Sequence, residues 1–400
     1  MDLRLGGDAA GPLAGLKVLD LSTVVSGPFC TQMLGDLGAD VVKVESARGD
    51  TTRMMGPPFK DGLTPIFSHF NRNKRSIALD LKQPRGQEVA LRLACAADVL
   101  VENFRPGVAE RLGLGSERLL GENPRLVYVA ISGFGLDGPY RDLPAYDSVI
   151  QGLVGFMPIQ GGEATPQLIR CIAADKVTAM TATQGVLAGL LTRERGGSGQ
   201  RVDVPMLDAY AAFMLPDVFG AQTFLPPDEA PGLDLAAVHR AWETADGHVV
   251  MMIIEDDQFH GISRALEREE LIDDPRCANL ITRIVHAEEL FAILEEEIRK
   301  WPTRELVERA RRFGAPVAPA NDLEAFLADP QVAASGTVVE LDDPKAGRMR
   351  FLRNPLRFES SPSSFRRHPP RHGEHGDEVL RELGYGPTDV SELRATGAVV

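Results

Sequence analysis

The chain has 400 residues, of which 44% are apolar and 25% charged, the make-up of a soluble globular protein. At about 150 residues per domain, that length predicts two or three units. The 57 acidic residues outnumber 43 Lys and Arg, giving a net charge of −14, which excludes a nucleic-acid binder that relies on broad phosphate neutralisation but leaves room for a small anion held by a local basic cluster.

The opening residues, MDLRLGGDAAGPLAG, lack the apolar stretch of a signal peptide, and no run of 18 apolar residues follows anywhere. From Leu16 the chain alternates short apolar runs with helical stripes. LKVLDL (16–21) reads as a strand, and Phe29, Met33 and Leu37 at spacing four as a helix closed by Gly38. VVKVE (41–45), SIALDL, VLVENF and LVYVAIS read as further strands, with EVALRLACAA, VAERLGL and SERLLGE as helices between them. A long helix is expected from Lys176 to Arg195, ending at Gly196-Gly197, and RVDVPM adds a strand. Strands alternating with helices over this length imply right-handed crossovers and a mostly parallel sheet.

The texture changes after Phe224. Pro226, Pro227, Pro231 and Gly232 mark a linker, and HRAWETADGHVVMMII reads as a hairpin turning at Asp246-Gly247. Leu290, Leu294 and Ile298 line a helix from Ala287 to Lys300, and another is expected over Thr303–Phe313. The domains expected are 11–225 and, after a small domain at 228–321, a return to the large one over 335–400. Within that return, SSPSSFRRHPPRHGEH reads as a surface strap and DEVLRELGY as a last helix. The four cysteines (30, 95, 171 and 277) form no CxxC pair, and the eight histidines form no ligand pair on a helix. Neither disulfides, structural zinc nor a metal site is expected, and a reducing cytoplasm is the expected compartment.

Few segments have chemical potential. Gly133, Gly135 and Gly138 spell G-x-G-x-x-G after a strand, but Pro139 and Asp142 stand where a helix should begin, so the loop reads as a glycine-rich strand end able to line a crevice. Residues 71–75 (NRNKR), with Lys82, Arg105 and Arg111, form basic clusters that suit an anion or a solvated turn. Asp175 is an acidic residue within a nearly apolar run. The common reason for that is an N-cap; the sharper one is a carboxylate nucleophile held ionised at a helix start. No G-x-S-x-G elbow and no P-loop occurs.

Together, GLKVLDLSTVVSGPFCTQMLGDLGADVVKVE, NRNKRSIALDLK, ADVLVENFRPGVAERLGL and YVAISGFGLDGPYRDLPAYDSVIQG resemble the N-terminal half of the class III CoA-transferases, the family that also contains α-methylacyl-CoA racemase. The resemblance continues in order through GQRVDVPMLDA, HRAWETADG, APVAPAND and GEHGDEVLRELGY. It implies an α/β fold, with a Rossmann-like large domain of mostly parallel sheet, a smaller α+β domain, and two chains interlocked as a homodimer.

It also implies an enzyme that moves CoA from an acyl-CoA to a free carboxylic acid through a covalent aspartyl intermediate, with no metal or redox cofactor and no nucleic-acid or membrane partner. Asp175 matches the family's reactive aspartate. Tyr146 stands where the racemase branch has a histidine base, which favours transfer over racemisation. The glycine-rich segments with Gly133 and Gly135 (133–138) and Gly161-Gly162 are candidates for shielding the acyl group from water, and their backbone N–H groups for holding a developing oxyanion. CoA contacts map to Val24, Arg48, Leu79, Lys82, Asn103, Phe104, Arg111 and Leu112, with Ser46 at the strict offset of the arginine for the 3′-phosphate. Val25 replaces an active-site glutamine of formyl-CoA transferase and no four-glycine loop appears, which weakens any case for oxalate. The alternatives are an acyl-CoA racemase or epimerase, and an idle CoA-binding protein in which Asp175 is only a cap.

Overall fold

The computed structural model describes residues 11–162, 164–226 and 239–400. Two compact units are present: one runs to Pro216 and resumes over Gly336–Val400, and the other spans Asp217–Ser335. Residues 217–225 and 322–335 therefore go with the second unit, beyond the expected limits of 228–321; the short helices Leu323–Ala328 and Pro330–Ser335, which pack on each other, lie there. The linker expected at 226–232 lies, apart from Pro226, outside the described residues.

In the first unit the elements follow in the order β1 (Lys17–Asp20), α1 (Ser26–Asp36), β2 (Asp40–Glu45), α2 (Pro65–Asn71), β3 (Lys74–Ala78), α3 (Pro84–Cys95) and β4 (Val99–Glu102). Next come α4 (Val108–Arg111), α5 (Ser116–Glu122), β5 (Val127–Ser132), α6 (Asp147–Leu153), α7 (Met157–Gly161), α8 (Ala173–Glu194), β6 (Gln200–Pro205) and α9 (Met206–Met214). The six strands form one parallel sheet in the order β3-β2-β1-β4-β5-β6, so the chain reverses its direction of travel between β1 and β4.

The inner strands β1, β2, β4 and β5 are largely apolar on both faces because both are covered. Val18, Val41, Val99, Val127 and Val129 pack with residues of α1, α8 and α9, while Leu19, Val44, Leu100 and Tyr128 pack with α3, α5 and the C-terminal helices Gly376–Glu382 and Pro387–Ala395. Two glycines let α8 lie flat on the sheet. A Cβ at Gly185 would sit 2.9 Å from Val202 of β6, and one at Gly189 2.8 Å from Val127 of β5. α1 differs from the expected single stripe: it is buried nearly all round, and Phe29 stacks edge-on with Phe70 at 5.2 Å.

The basic cluster at 71–75 is neither an anion site nor a solvated turn. Its charges fold inward because acidic partners distant in sequence meet them. Arg72 forks onto Asp36 at 3.0 and 2.6 Å, Lys74 pairs with Asp20 at 2.9 Å, and Arg75 bridges Asp40, Glu378 and Glu382. Asn73 ties down the expected strap: its Oδ1 accepts the amides of Arg366 and Arg367, and its own amide donates to the Arg367 carbonyl. Ahead of the strap, strands β10 (Val338–Asp343) and β11 (Gly347–Leu352) pair as an antiparallel hairpin that the sequence reading did not anticipate.

The second unit has a three-stranded antiparallel sheet, β7 (Ala241–Glu243), β8 (His248–Met251) and β9 (Val317–Pro319), with the expected hairpin between the first two. The helices Ala287–Ile298 and Thr303–Arg312 lie where expected, and Trp242, Phe259, Leu290, Leu294 and Leu306 share its core. No helix among the described residues is long and apolar enough to cross a membrane.

Candidate active site

In an open parallel sheet, ligands bind beyond the carboxyl ends of the strands, where the strand order reverses. Here that place is between β1 and β4. The turn after β1 and the loop after β4 are bridged by one side chain: the Thr23 amide donates to Asn103 Oδ1 at 2.9 Å, and Asn103 Nδ2 donates to the Thr23 carbonyl at 2.7 Å. Val24, next to this bridge, has φ of 71°, a left-handed conformation that is costly for a β-branched residue. Its amide donates to Asp50 Oδ1 at 3.3 Å.

Beneath the turn lies a buried ionic network. Lys43 Nζ donates to the Ser22 carbonyl at 2.7 Å and pairs with Asp50 at 2.9 Å. Lys74 Nζ reaches Asp20, the Pro28 carbonyl and Asn71 Oδ1, all within 2.9 Å. The two lysines hold the Asp20 carboxyl far below its usual range despite its burial, and burial outweighs the attraction of Asp20 for Lys74, whose ammonium is pushed down to about 8. This network fixes the geometry of the turn from which α1 starts.

A cleft of about 280 Å³ opens above. Thr23, Val24 and Ser26 line it from the β1 side, Asn103 to Pro106 from β4, and Ile131 to Gly133 from β5, with Arg141, Tyr146, Asp175 and Met206 completing the wall. Gly133 is required there by close approach, because a Cβ would lie 2.3 Å from that of Ala145. A neighbouring cavity of about 380 Å³ shares Phe104, Arg105, Pro106, Ile131, Ser132 and Arg141 with the cleft. It also contains Glu102, which burial pushes up to about 7 although it accepts the Phe104 amide at 2.7 Å. A broader groove of about 990 Å³ is lined wholly by residues of the second unit and contains none of the expected site residues.

Asp175 is buried, 9% exposed, yet lines the cleft. It is not the N-cap expected from the sequence. α8 begins at Ala173, so Asp175 is the third residue of its first turn, and the cap comes from elsewhere: Asp147 Oδ1, at the start of α6, accepts the Asp175 amide at 3.1 Å. The hydroxyl and amide of Ser26, the first residue of α1, face the Asp175 carboxylate as donors. Burial, and after it the charge of Asp147, push the Asp175 carboxyl up to about 6 in spite of those donors. A carboxylate raised in this way is still mainly ionised at neutral pH, and a perturbed acid in a cleft marks a candidate functional group.

Of the residues singled out in the sequence, Val24, Asn103, Phe104, Gly133, Tyr146 and Asp175 come together around the cleft. Gly135 turns aside with a φ of 86°, its amide donating to Ser132 Oγ. Arg48 and Lys82 are exposed on the turns after β2 and β3, and Arg111 and Leu112 close α4 after β4; none of the four lines the cleft. The Leu79 side chain is fully buried, and its backbone is bridged by Val399, so no side-chain face is left for a ligand. Gly161 and Gly162, in and just after α7, are also outside the lining.

The sequence reading missed Ser26, Arg141 and Asp147. Ser26 and Asp147 each open a helix, a recognisable start signal, but what they face became visible only in three dimensions. Among the described residues, no three His, Cys, Asp or Glu side chains are grouped to hold a metal ion.

The family model for CoA-transferase family III matches residues 13–376. The chain is similar to the succinate–glutarate CoA-transferase of Agrobacterium fabrum, at 36% identity over 93% of this chain and 96% of that one. It is 33% identical to the succinyl-CoA:glutarate CoA-transferase of Homo sapiens, over 97% of this chain and 90% of the human one. The crystal structure of a CAIB/BAIF family protein from Brucella suis superposes with a TM-score of 0.81 and 34% identity, covering 94% of this chain and 100% of that one. With a model match over nearly its whole length and relatives of this extent, the chain belongs to CoA-transferase family III and is an enzyme of that family.

Proposed function

We propose that the enzyme moves CoA from an acyl-CoA to a free carboxylic acid, with Asp175 as the covalent nucleophile. One observation supports this above others: a buried carboxylate, pushed up to about 6, lines the cleft at the point where the sheet reverses its strand order. In the reaction, an Asp175 oxygen attacks the thioester carbonyl and the C–S bond breaks, giving an acyl-aspartyl anhydride and CoA thiolate. The thiolate attacks the Asp175 carbonyl, forming an aspartyl-CoA thioester and releasing the donor acid as its carboxylate. The acceptor carboxylate then attacks that thioester, and the thiolate returns to the acceptor carbonyl, restoring Asp175. Every step trades one acyl bond for another, so no metal or redox cofactor is needed.

Water must be kept from the anhydride, and the burial of Asp175 in the wall of the cleft serves that end. The Ser26 amide and hydroxyl, directed at the carboxylate, are placed to hold the negative charge that develops on the Asp175 carbonyl oxygen when thiolate attacks. Arg105 and Arg141 at the cleft wall suit anionic parts of either substrate. Arg48, Lys82 and Arg111, beyond the carboxyl ends of β2, β3 and β4, suit the more distant CoA phosphates, and an interlocked homodimer is the assembly we propose. Racemisation is disfavoured because Tyr146, at the cleft wall, stands where the racemase branch has its histidine base.

The test is a matrix of acyl-CoA donors against carboxylic acids, begun with succinyl-CoA and glutarate because two similar relatives are named for that pair. Acid-dependent appearance of a new acyl-CoA is expected. Exchange of the α-proton of a 2-methylacyl-CoA with deuterated water, without CoA movement, would show the racemase alternative instead.

A further inference from the structure

The first turn of α8 is held from outside by α6. Asp147 takes the Asp175 amide on Oδ1, and its Oδ2 accepts from Gln151 Nε2 at 2.7 Å, one helical turn on. Gln151, 3% exposed, spends its other bonds on the segment that leads into α8: Nε2 also donates to the Cys171 carbonyl at 3.1 Å, and Oε1 accepts the Ile169 amide at 3.0 Å. Asp147 and Gln151 thus fix both the approach to α8 and its first turn, in a pattern set by two polar residues four apart on one face of a short helix. Tyr146, at the cleft wall, is the N-cap residue of α6 and moves with them.

We infer that Asp147 is a positioning residue for the transfer reaction, holding the backbone of Asp175 and placing its own carboxyl group beside the reacting one. The inference rests on Asp175 being the nucleophile. A neighbouring charge that opposes ionisation makes the carboxylate hold its electron pair less firmly, so the ionised form is the stronger nucleophile toward a thioester carbonyl. The cost is that a smaller fraction is ionised in mild acid. Asp147 and Ser26 are the two neighbours that act on the Asp175 carboxyl. The other titratable and charged groups on the elements packed against α8 are Cys30 and Asp36 on α1, Tyr128 on β5, Arg201 and Asp203 on β6, Asp208 and Tyr210 on α9, and Lys176, Arg193 and Glu194 on α8 itself. None of these is among the influences on Asp175. The Tyr210 hydroxyl on α9 is likewise raised, by burial first and then by Asp147.

The experiment is single-turnover formation of the aspartyl-CoA adduct as a function of pH, in wild type, Asp147→Asn and Asp147→Glu. Asn keeps an oxygen to accept the Asp175 amide, removes the charge and gives up the bond from Gln151 Nε2; Glu restores the charge. For wild type the rate should fall on the acid side through about 6. Asp147→Asn should move that limb to lower pH and slow the plateau several-fold, with CoA affinity unchanged, and Asp147→Glu should return the limb toward the wild-type position. An acid limb and plateau in Asp147→Asn that match wild type would overturn the inference while leaving the nucleophile in place. Retention of near wild-type transfer by Asp175→Asn would instead overturn the nucleophile reading itself.

Discussion

Replacing Asp175, the proposed nucleophile, should make the protein more stable, and by an amount that depends on pH in a defined way. The Asp175 carboxyl is raised from 3.8 to about 6 by burial and by Asp147. Ionising it therefore costs more in the folded protein than in the unfolded chain. Below 3.8 both states hold the proton and the penalty is absent. As pH rises the unfolded chain ionises first, and the penalty grows until the folded carboxyl has also ionised above about 6. A rise of this size corresponds to about 3 kcal/mol at full extent.

Asn at 175 keeps an acceptor for Ser26, places a donor beside Asp147 and carries no charge to desolvate. Denaturant unfolding at about pH 8 should then show Asp175→Asn more stable than wild type by roughly 2–3 kcal/mol, with the gain shrinking to about 1 kcal/mol near pH 4.5. A variant that is less stable at both pH values, or a gain indifferent to pH, would mean that the fold does not oppose ionisation at this position. Stability given up at a reactive group in this way is a recurring mark of active sites.

Three further perturbations bear on the scaffold beneath the cleft. Asp20→Asn leaves Lys74 and Lys43 buried beside a neutral amide and should lower stability by roughly 3–5 kcal/mol in denaturant unfolding, with looser CoA binding through the turn that follows β1. Gly27→Ala would drive a Cβ to 2.2 Å from the Cβ and Oγ of Ser22, which cannot retreat because its hydroxyl is bonded to Asp20 at 2.5 Å. A loss of about 1–3 kcal/mol and a fall in turnover are expected, measured by melting and by steady-state assay. Asn103→Ala cuts both bonds to Thr23 and should raise the KM for every acyl-CoA alike, whatever its acyl group; an effect that varied with the acyl chain would place Asn103 nearer the acyl pocket than the CoA arm.

Local chemistry was legible in the sequence, and distant partnership was not. The parallel sheet announced itself because each strand is a short apolar run bounded by helical stripes, and the hairpin at Asp246-Gly247 because its turn residues demand it. Asp175 stood out as one acid in an apolar stretch, but its role as a cap was misread. The group that caps its amide, Asp147, is 28 residues upstream, and no local pattern links the two. The cluster at 71–75 failed for the same reason: Asp20, Asp36, Asp40, Glu378 and Glu382 neutralise it from both ends of the chain. Family resemblance pointed to Val24, Asn103, Phe104 and Tyr146, and all four line the cleft, the first three on the turns after β1 and β4 and Tyr146 as the N-cap of α6. It could not tell that Ser26, adjacent to the departing Val25, faces the Asp175 carboxyl directly.

In the proposed mechanism Asp175 becomes covalently bound to CoA as an aspartyl thioester. Incubating the wild-type enzyme with an acyl-CoA substrate and hydroxylamine, then mapping the digested chain by mass spectrometry, tests it without reference to rates or stability. An aspartyl-CoA thioester is cleaved by hydroxylamine to a hydroxamate, so the account predicts that modification at Asp175, dependent on acyl-CoA and missing from Asp175→Asn. Hydroxamate on another carboxylate, or an Asp175→Asn enzyme that transfers CoA near the wild-type rate, would contradict it.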